Sequence, residues 1–383
     1  MQKRRWGQTG LNLSIASLGT MRCLESQEIF NQTLNGAIAA GINHVETAQG
    51  YGLSETYLGQ WLCNLPAIDR AALTLTTKIP PCPTAAQMAQ QIDQSLQRLG
   101  VEHLDCLALH GVNTLEHLAW LQAPDGCMAA VGAAIASGKV GHVGFSSHGS
   151  LDLILQTLRT GLFAFVNLHY YFFRQHLEPA IALAHALNMG IFIISPADKG
   201  GLLHHPPTLL QQRCQPRTPL EFTYRFLLAD PRITTLSFGP TNPTELAGAI
   251  AQLPTISPTA EPIWGTTEIE IAARLETLRH ERLGTTACEQ CYACLPCPEG
   301  INIPEVLRLR NLAIAYDMTE FGTYRYRMFE NAGHWFAGQR GDRCTNCGDC
   351  LPRCPEQLAI PELLHQTHTQ LRGQARRRLW QED

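Results

Sequence analysis

The strongest constraint on the fold is a unit that recurs along the first two-thirds of the chain. A short apolar strand leads into a turn, then an amphipathic helix, then the next strand. Strands are read near Ile15–Leu18, up to Glu46, in LTLTTK up to Lys78, and at Asp105–Leu109, His142–Ser146, Phe165–Asn167, Ile191–Ser195 and Thr234–Phe238. Between them, apolar stripes at helical spacing include Phe30, Leu34, Ala37 and Ile38, then Leu58 and Leu62, then Met88, Ile92, Leu96 and Leu99. Thr84 with Gln87 reads as a capping box opening the third of these. Gly41, Gly138, Gly161 and Gly190 read as helix ends. Residues 3–13 read as a hairpin turning at Thr9-Gly10. Eight strands alternating with helices predict an α/β fold with a parallel sheet, which fits a (β/α)8 barrel. Periodicity alone also allows a doubly wound open sheet.

Four acid–base side chains fall at or just beyond the ends of three successive strands: Glu46, Tyr51, Lys78 and His110. In a barrel those ends converge on one face, where active sites sit. A tyrosine is a weak acid with a reference pKa of about 10. A neighbouring ammonium favours the phenolate and lowers that value, and a carboxylate beside the ammonium keeps it charged. The set therefore predicts Tyr51 as a general acid, with Lys78 lowering its pKa, Glu46 fixing Lys78 and His110 orienting a carbonyl.

With these residues in place the chain resembles the aldo/keto reductases, whose tetrad runs Asp, Tyr, Lys, His. The resemblance rests on RRWGQTGLNLSIASLGTMR, ETAQGYG, TTK, LALHG, VGFSSHG and ISPADKGGLL. It implies the barrel rather than the open sheet, with the N-terminal hairpin closing its bottom. Glu46 stands where the family carries Asp, which keeps the charge and moves the carboxylate by about one bond length. The resemblance further implies NADP or NAD, held by Ser146, Ser147, Asn167, Ser195, Lys199 and Gly201. Three positions depart from the family pattern. Ile194 replaces a stacking tyrosine, FGPTNPTEL carries no base for a 2′-phosphate, and Ala249 replaces an asparagine that meets adenine.

Eight of the 14 cysteines form two runs near the C-terminus. Cys288, Cys291, Cys294 and Cys297 read C-x2-C-x2-C-x2-C-P, and Cys344, Cys347, Cys350 and Cys354 read C-x2-C-x2-C-x3-C-P. The second is the run of two-cluster bacterial ferredoxins. The flanks repeat too, CPEGINIPEVL against CPEQLAIPELL, which indicates a duplicated unit. Three cysteines at two-residue gaps wrap three corners of an iron–sulfur cube, and the fourth, before proline, turns to the other cluster. One 4Fe–4S cluster is thus assigned to Cys288, Cys291, Cys294 and Cys354, the other to Cys344, Cys347, Cys350 and Cys297. Structural zinc, which pairs two separated cysteine couples, fits this spacing poorly.

A hydrophobic fraction of 45% suffices for a core, and a net charge of −4 gives no reason to expect a nucleic-acid partner. MQKRRWGQTG lacks a following apolar stretch, and no segment runs eighteen apolar residues, so neither a signal peptide nor a membrane span is expected. Clustered cysteines fit a reducing cytoplasm. The expected domains are a barrel over 1–262, a connecting helix over 263–284 with Ile269, Ala272, Ala273, Leu275 and Leu278 packed on the barrel, a ferredoxin-type domain over 285–370 with a helix over Pro304–Met318, and a charged tail over 371–383. Pro254–Pro262 reads as a linker. The expected function is NAD(P)H-linked carbonyl reduction, or its reverse, on a small carbonyl or alcohol substrate, in a barrel fused to an electron-transfer domain with a one-electron protein partner. The rivals are an electron-transfer protein whose barrel is a docking scaffold, and an enzyme whose clusters are structural.

Overall fold

The structure, a computed structural model, describes residues 1–65, 70–198, 202–256 and 260–373. Part of the linker stretch, the charged tail after residue 373, and Lys199 and Gly201 lie outside the described residues. The chain divides into two compact units, one of residues 1–201 and 220–264, the other of residues 202–219 and 265–383.

The first unit is a closed parallel barrel. Its strands are β3 (Ala16–Gly19), β4 (His44–Glu46), β5 (Thr74–Ile79), β6 (Leu104–His110), β7 (Val140–Ser147), β8 (Phe165–His169), β9 (Gly190–Ile194) and β10 (Thr235–Phe238). They are arranged in chain order, with β10 closing against β3. Helices follow the strands as the stripes require. The helix Ala85–Leu99 starts where the Thr84 hydroxyl accepts the Gln87 N–H at 3.3 Å, and it buries Met88, Ile92, Leu96 and Leu99. Gly41 takes a φ of +85° just past the helix Gln27–Ala39, a conformation that costs glycine little.

The N-terminal hairpin pairs β1 (Lys3–Arg5) with β2 (Asn12–Ser14) and carries Trp6 at its turn. The Trp6 ring lies 4.3 Å from Phe165 and 5.3 Å from His44, centroid to centroid. Both partners are the first residues of their strands, so Trp6 fills the N-terminal mouth of the barrel. It joins Leu13, Cys106, Ala108 and Phe165 in one fully buried cluster.

Gly190 is not a helix end, contrary to the sequence reading. The helix Glu178–Ala186 is capped by Leu187, Asn188 takes the left-handed turn, and Gly190 opens β9. Its hydrogen side chain makes room for the plug, since a Cβ there would lie 2.1 Å from Trp6 Cδ1.

In the second unit the helix Ile303–Tyr316 is central and buried along almost its whole length. It packs against the helices Thr266–Leu283, Thr319–Tyr326 and Ile360–Leu371. Arg308 and Glu305, both buried, pair at 2.7 Å within it. The segment around 202–219 joins this unit through Arg217, whose Nε donates to Glu268 Oε1 at 3.0 Å, and through Arg274, whose Nε donates to the Arg213 carbonyl. The buried face of Thr266–Leu283 is Ile271, Leu275 and Leu278, whereas Ile269 is 56% exposed. Of the expected residues Leu275 and Leu278 are buried, while Ile269 and Ala273 are exposed and Ile271 takes the inner face. Tyr326 and Phe329, from the aromatic stretch that follows, are fully buried here.

Filling the space beside Trp6 forces overpacking that rigid backbone cannot relieve. Gly190→Ala is expected to cost at least about 1–3 kcal/mol, read as a lowered midpoint in chemical denaturation.

Candidate active site and metal centre

At the C-terminal end of the barrel, β4 and β5 bring Glu46 and Lys78 face to face. Lys78 Nζ lies 2.8 Å from Glu46 Oε2, and both side chains are buried. The Tyr51 ring, on the turn after β4, lies 4.9 Å from Lys78 Nζ. His110, the last residue of β6, meets the same ring edge-on at 5.5 Å and 86°. The four residues singled out from the sequence are thus adjacent, in the order Glu46, Lys78, Tyr51, His110.

Electrostatics depart from the simplest expectation. Burial raises the pKa of the Tyr51 phenol above its ordinary value; Lys78 pulls it down without reversing the shift. Burial also works against the Lys78 ammonium, but Glu46 and Tyr51 together hold its pKa above the usual lysine value. Below this layer His44 is fully buried, with Nδ1 2.7 Å from Ser17 Oγ and Nε2 2.8 Å from Thr76 Oγ1. Burial, aided by Lys78, lowers its pKa to about 3, so it is a neutral strut.

The residues expected around a nicotinamide are placed unequally. Asn167, on β8, points at the tetrad: its Nδ2 donates to Glu46 Oε1, and its Oδ1 is buried with no hydrogen-bond partner among the described residues. Ser147 is engaged, donating to the Val112 carbonyl at 2.6 Å and accepting the Gly149 N–H at 3.0 Å. Ser146 accepts the Gly111 N–H at 3.0 Å, which leaves its own proton to donate. Ser195 follows β9 with a φ of +54°.

The structure adds a polar group that the sequence reading missed. Beyond β8 and β9, the Tyr171 hydroxyl donates to Asp198 Oδ2, and His169 Nε2 lies 3.5 Å from Asp198 Oδ1. His169 stacks on Tyr171 at 5.6 Å, with His148 at its edge. The available signal was position alone: His148 and Asp198 follow strand ends, and His169 is the last residue of β8.

In the second unit the cysteines surround two cavities. One is lined by Cys288, Cys291, Cys294 and Cys354; the other by Cys297, Cys344, Cys347 and Cys350. Each cavity takes three sulfurs from one run and the fourth from the other. Among the described residues, no three His, Cys, Asp or Glu side chains converge closely enough to share one metal ion.

A parallel barrel with a buried lysine–carboxylate pair at its mouth, joined to a duplicated cysteine unit, narrows the class to barrel oxidoreductases with a ferredoxin-type appendage. Comparison with known proteins identifies both parts. The aldo/keto reductase family model matches residues 17–208, half of the chain, and the 4Fe-4S dicluster domain matches residues 287–360. The chain belongs to the aldo/keto reductase family. It is 30% identical over 161 residues to a 6-dehydroglucose reductase of Novosphingobium aromaticivorans, covering 38% of this chain and 51% of that protein. An L-glyceraldehyde 3-phosphate reductase of Escherichia coli is also 30% identical, over 39% of this chain and 46% of its own length. The chain thus spans about half the length of the curated relatives it matches. The fold is shared with an aldo-keto reductase of Bacillus halodurans, at a TM-score of 0.62 and 20% identity, over 72% of this chain and 96% of that one. Among the described residues no helix is long and apolar enough to cross a membrane.

Two outcomes follow for stability. Lys78→Met leaves Glu46 buried without its cation and is expected to cost about 3–5 kcal/mol in chemical denaturation, much of it recovered by adding Glu46→Gln. Tyr51 and Lys78 both hold their protons more tightly in the folded chain. Their contribution is full below the unfolded pKa values and is lost as pH rises from about 10 upward. Tyr51→Phe should make that alkaline loss shallower in a series of melts.

Proposed function

We propose that the barrel reduces a small carbonyl compound, or oxidises the corresponding alcohol, with NADP or NAD, and that the cysteine unit holds two 4Fe–4S clusters. The observation carrying the first part is Lys78 lying between Glu46 and Tyr51 at the barrel mouth. Burial keeps the Tyr51 phenol protonated at neutral pH, the state a general acid needs. Tyr51 gives that proton to the carbonyl oxygen. Lys78 then stabilises the phenolate, while Glu46 keeps Lys78 charged and in register. His110, at the edge of the Tyr51 ring, orients the carbonyl. The buried Asn167 oxygen fits an amide N–H, as the carboxamide of a nicotinamide would present. When bound, that cofactor supplies the hydride.

The sulfur sets support one cluster on Cys288, Cys291, Cys294 and Cys354 and another on Cys344, Cys347, Cys350 and Cys297. A hydride carries two electrons and a 4Fe–4S cluster passes one, so the clusters serve a one-electron protein partner rather than the nicotinamide directly.

Anaerobic purification tests both halves. About eight iron atoms per chain are expected; stoichiometric zinc without iron overturns the cluster reading. Against a panel of small aldehydes and ketones with NADPH, Tyr51→Phe is expected to lose turnover while keeping its melting temperature. Unchanged turnover in that variant discards the tetrad. NADPH added anaerobically without flavin should leave the cluster absorbance unbleached.

A further inference from the structure

The two halves of the cysteine unit are related by the repeat that follows each Cys-Pro. Cys297 is followed six residues on by Ile303, and Cys354 by Ile360. The cavities keep this correspondence: Pro304, Leu307 and Ile360 line one, Pro361, Leu364 and Ile303 the other. Apolar walls are therefore matched, and the charge is not: Glu289, paired with Arg279 at 2.8 Å, and Glu356 line the first cavity, and Glu299 lines the second. At the next turn of the first helix stands Arg310; its counterpart in the second is Thr367.

Arg310 is only 6% exposed. Its guanidinium donates to the Thr286 carbonyl at 3.1 Å and to Thr286 Oγ1 at 2.9 Å, both neutral acceptors. The neighbouring Asn311 donates from Nδ2 to the Cys288 carbonyl at 2.9 Å, so this helix face holds the segment leading into the first cysteine. Cys288 is within electrostatic reach of the Arg310 charge. Arg308, one residue row away, is offset by Glu305. Thr367 is buried and spends its hydroxyl on the Leu363 carbonyl. The other cavity has Arg353 in its wall, a half-exposed side chain donating to the Asp349 and Pro296 carbonyls, where solvent screens its charge.

We propose that Arg310 makes the two clusters unequal, raising the reduction potential of the one held by Cys288, Cys291, Cys294 and Cys354. The inference rests on the cluster reading above. Reduction adds one negative charge to a cluster, and a buried cation nearby stabilises that state with little screening. Arg310 acts as a positioning and potential-setting residue, not as a ligand.

The test is a redox titration of the anaerobically loaded full chain, followed by electron paramagnetic resonance, with iron content measured in each variant. Arg310→Gln is expected to weaken reduction of one cluster about tenfold, a shift of about 59 mV to lower potential for one electron, and to leave the other step in place. Arg310→Lys should restore most of the shift. Arg353→Gln should move the other step, by less. If Arg310→Gln loads incompletely, Arg310→Met serves in its place, since it leaves no unpaired buried amide. Equal movement of both steps, no movement, or a lysine variant no better than glutamine overturns the proposal. Wild-type protein with iron but without two cluster signals would instead overturn the cluster reading.

Discussion

The buried pair of Lys78 and Glu46 is the interaction on which the C-terminal end of the barrel depends. Taking either charge out of water alone is costly, and their attraction offsets this only if the remaining polar valences are met. The structure draws partners from three strands: Glu46 on β4 takes Lys78 of β5 on one oxygen and Asn167 of β8 on the other, while Lys78 reaches the Tyr51 ring. Barrel closure fixes these strands in register, so the longer side chain of glutamate at position 46 is accommodated with a 2.8 Å contact. Neutral His44 underneath, bonded to Ser17 and Thr76, gives the pair a polar floor that adds no competing charge.

Much of this was legible in the residue pattern, for physical reasons that differ by element. The helix Ala85–Leu99 was readable because its cap and its stripe are local signals that agree, and all four stripe residues are buried. In the helix Thr266–Leu283 only Leu275 and Leu278 of the expected residues are buried, and Ile271 joins them on the inner face; this helix packs on Ile303–Tyr316, a contact the local pattern does not display. Gly190 looked like a helix end because what decides its role is Trp6, over 180 residues earlier. The adjacency of Glu46, Tyr51, Lys78 and His110 was legible from their places at strand ends, but the upward shift at Tyr51 was not, because desolvation depends on neighbours that sequence order does not display. His169, Tyr171 and Asp198 were overlooked for the same reason: they converge only once β8 and β9 are adjacent.

The cysteine unit shows the opposite balance. Spacing alone predicted that each set of four would mix the two runs, and the cavities are lined in that way. The central helix, where the halves of the repeat diverge, was less legible. Its buried arginines look like surface residues in the sequence, and only the packing of Ile303–Tyr316 between neighbouring helices shows that Arg308 and Arg310 are interior.

The plug at the other mouth of the barrel bears on how the chain comes to fold. Trp6 precedes every strand of the barrel in the chain, and its seat is formed by His44, Phe165 and Gly190. The seam that closes the barrel pairs β10 with β3, residues separated by more than 200 positions. The seat of the indole is complete only when Gly190, at the start of β9, is in place beside His44 and Phe165. Such long-range closure is slow and leaves apolar edges uncovered meanwhile. A residue ahead of the first barrel strand thus closes one mouth, while Glu46, Lys78 and His110 lie at the opposite ends of strands in the same closed sheet.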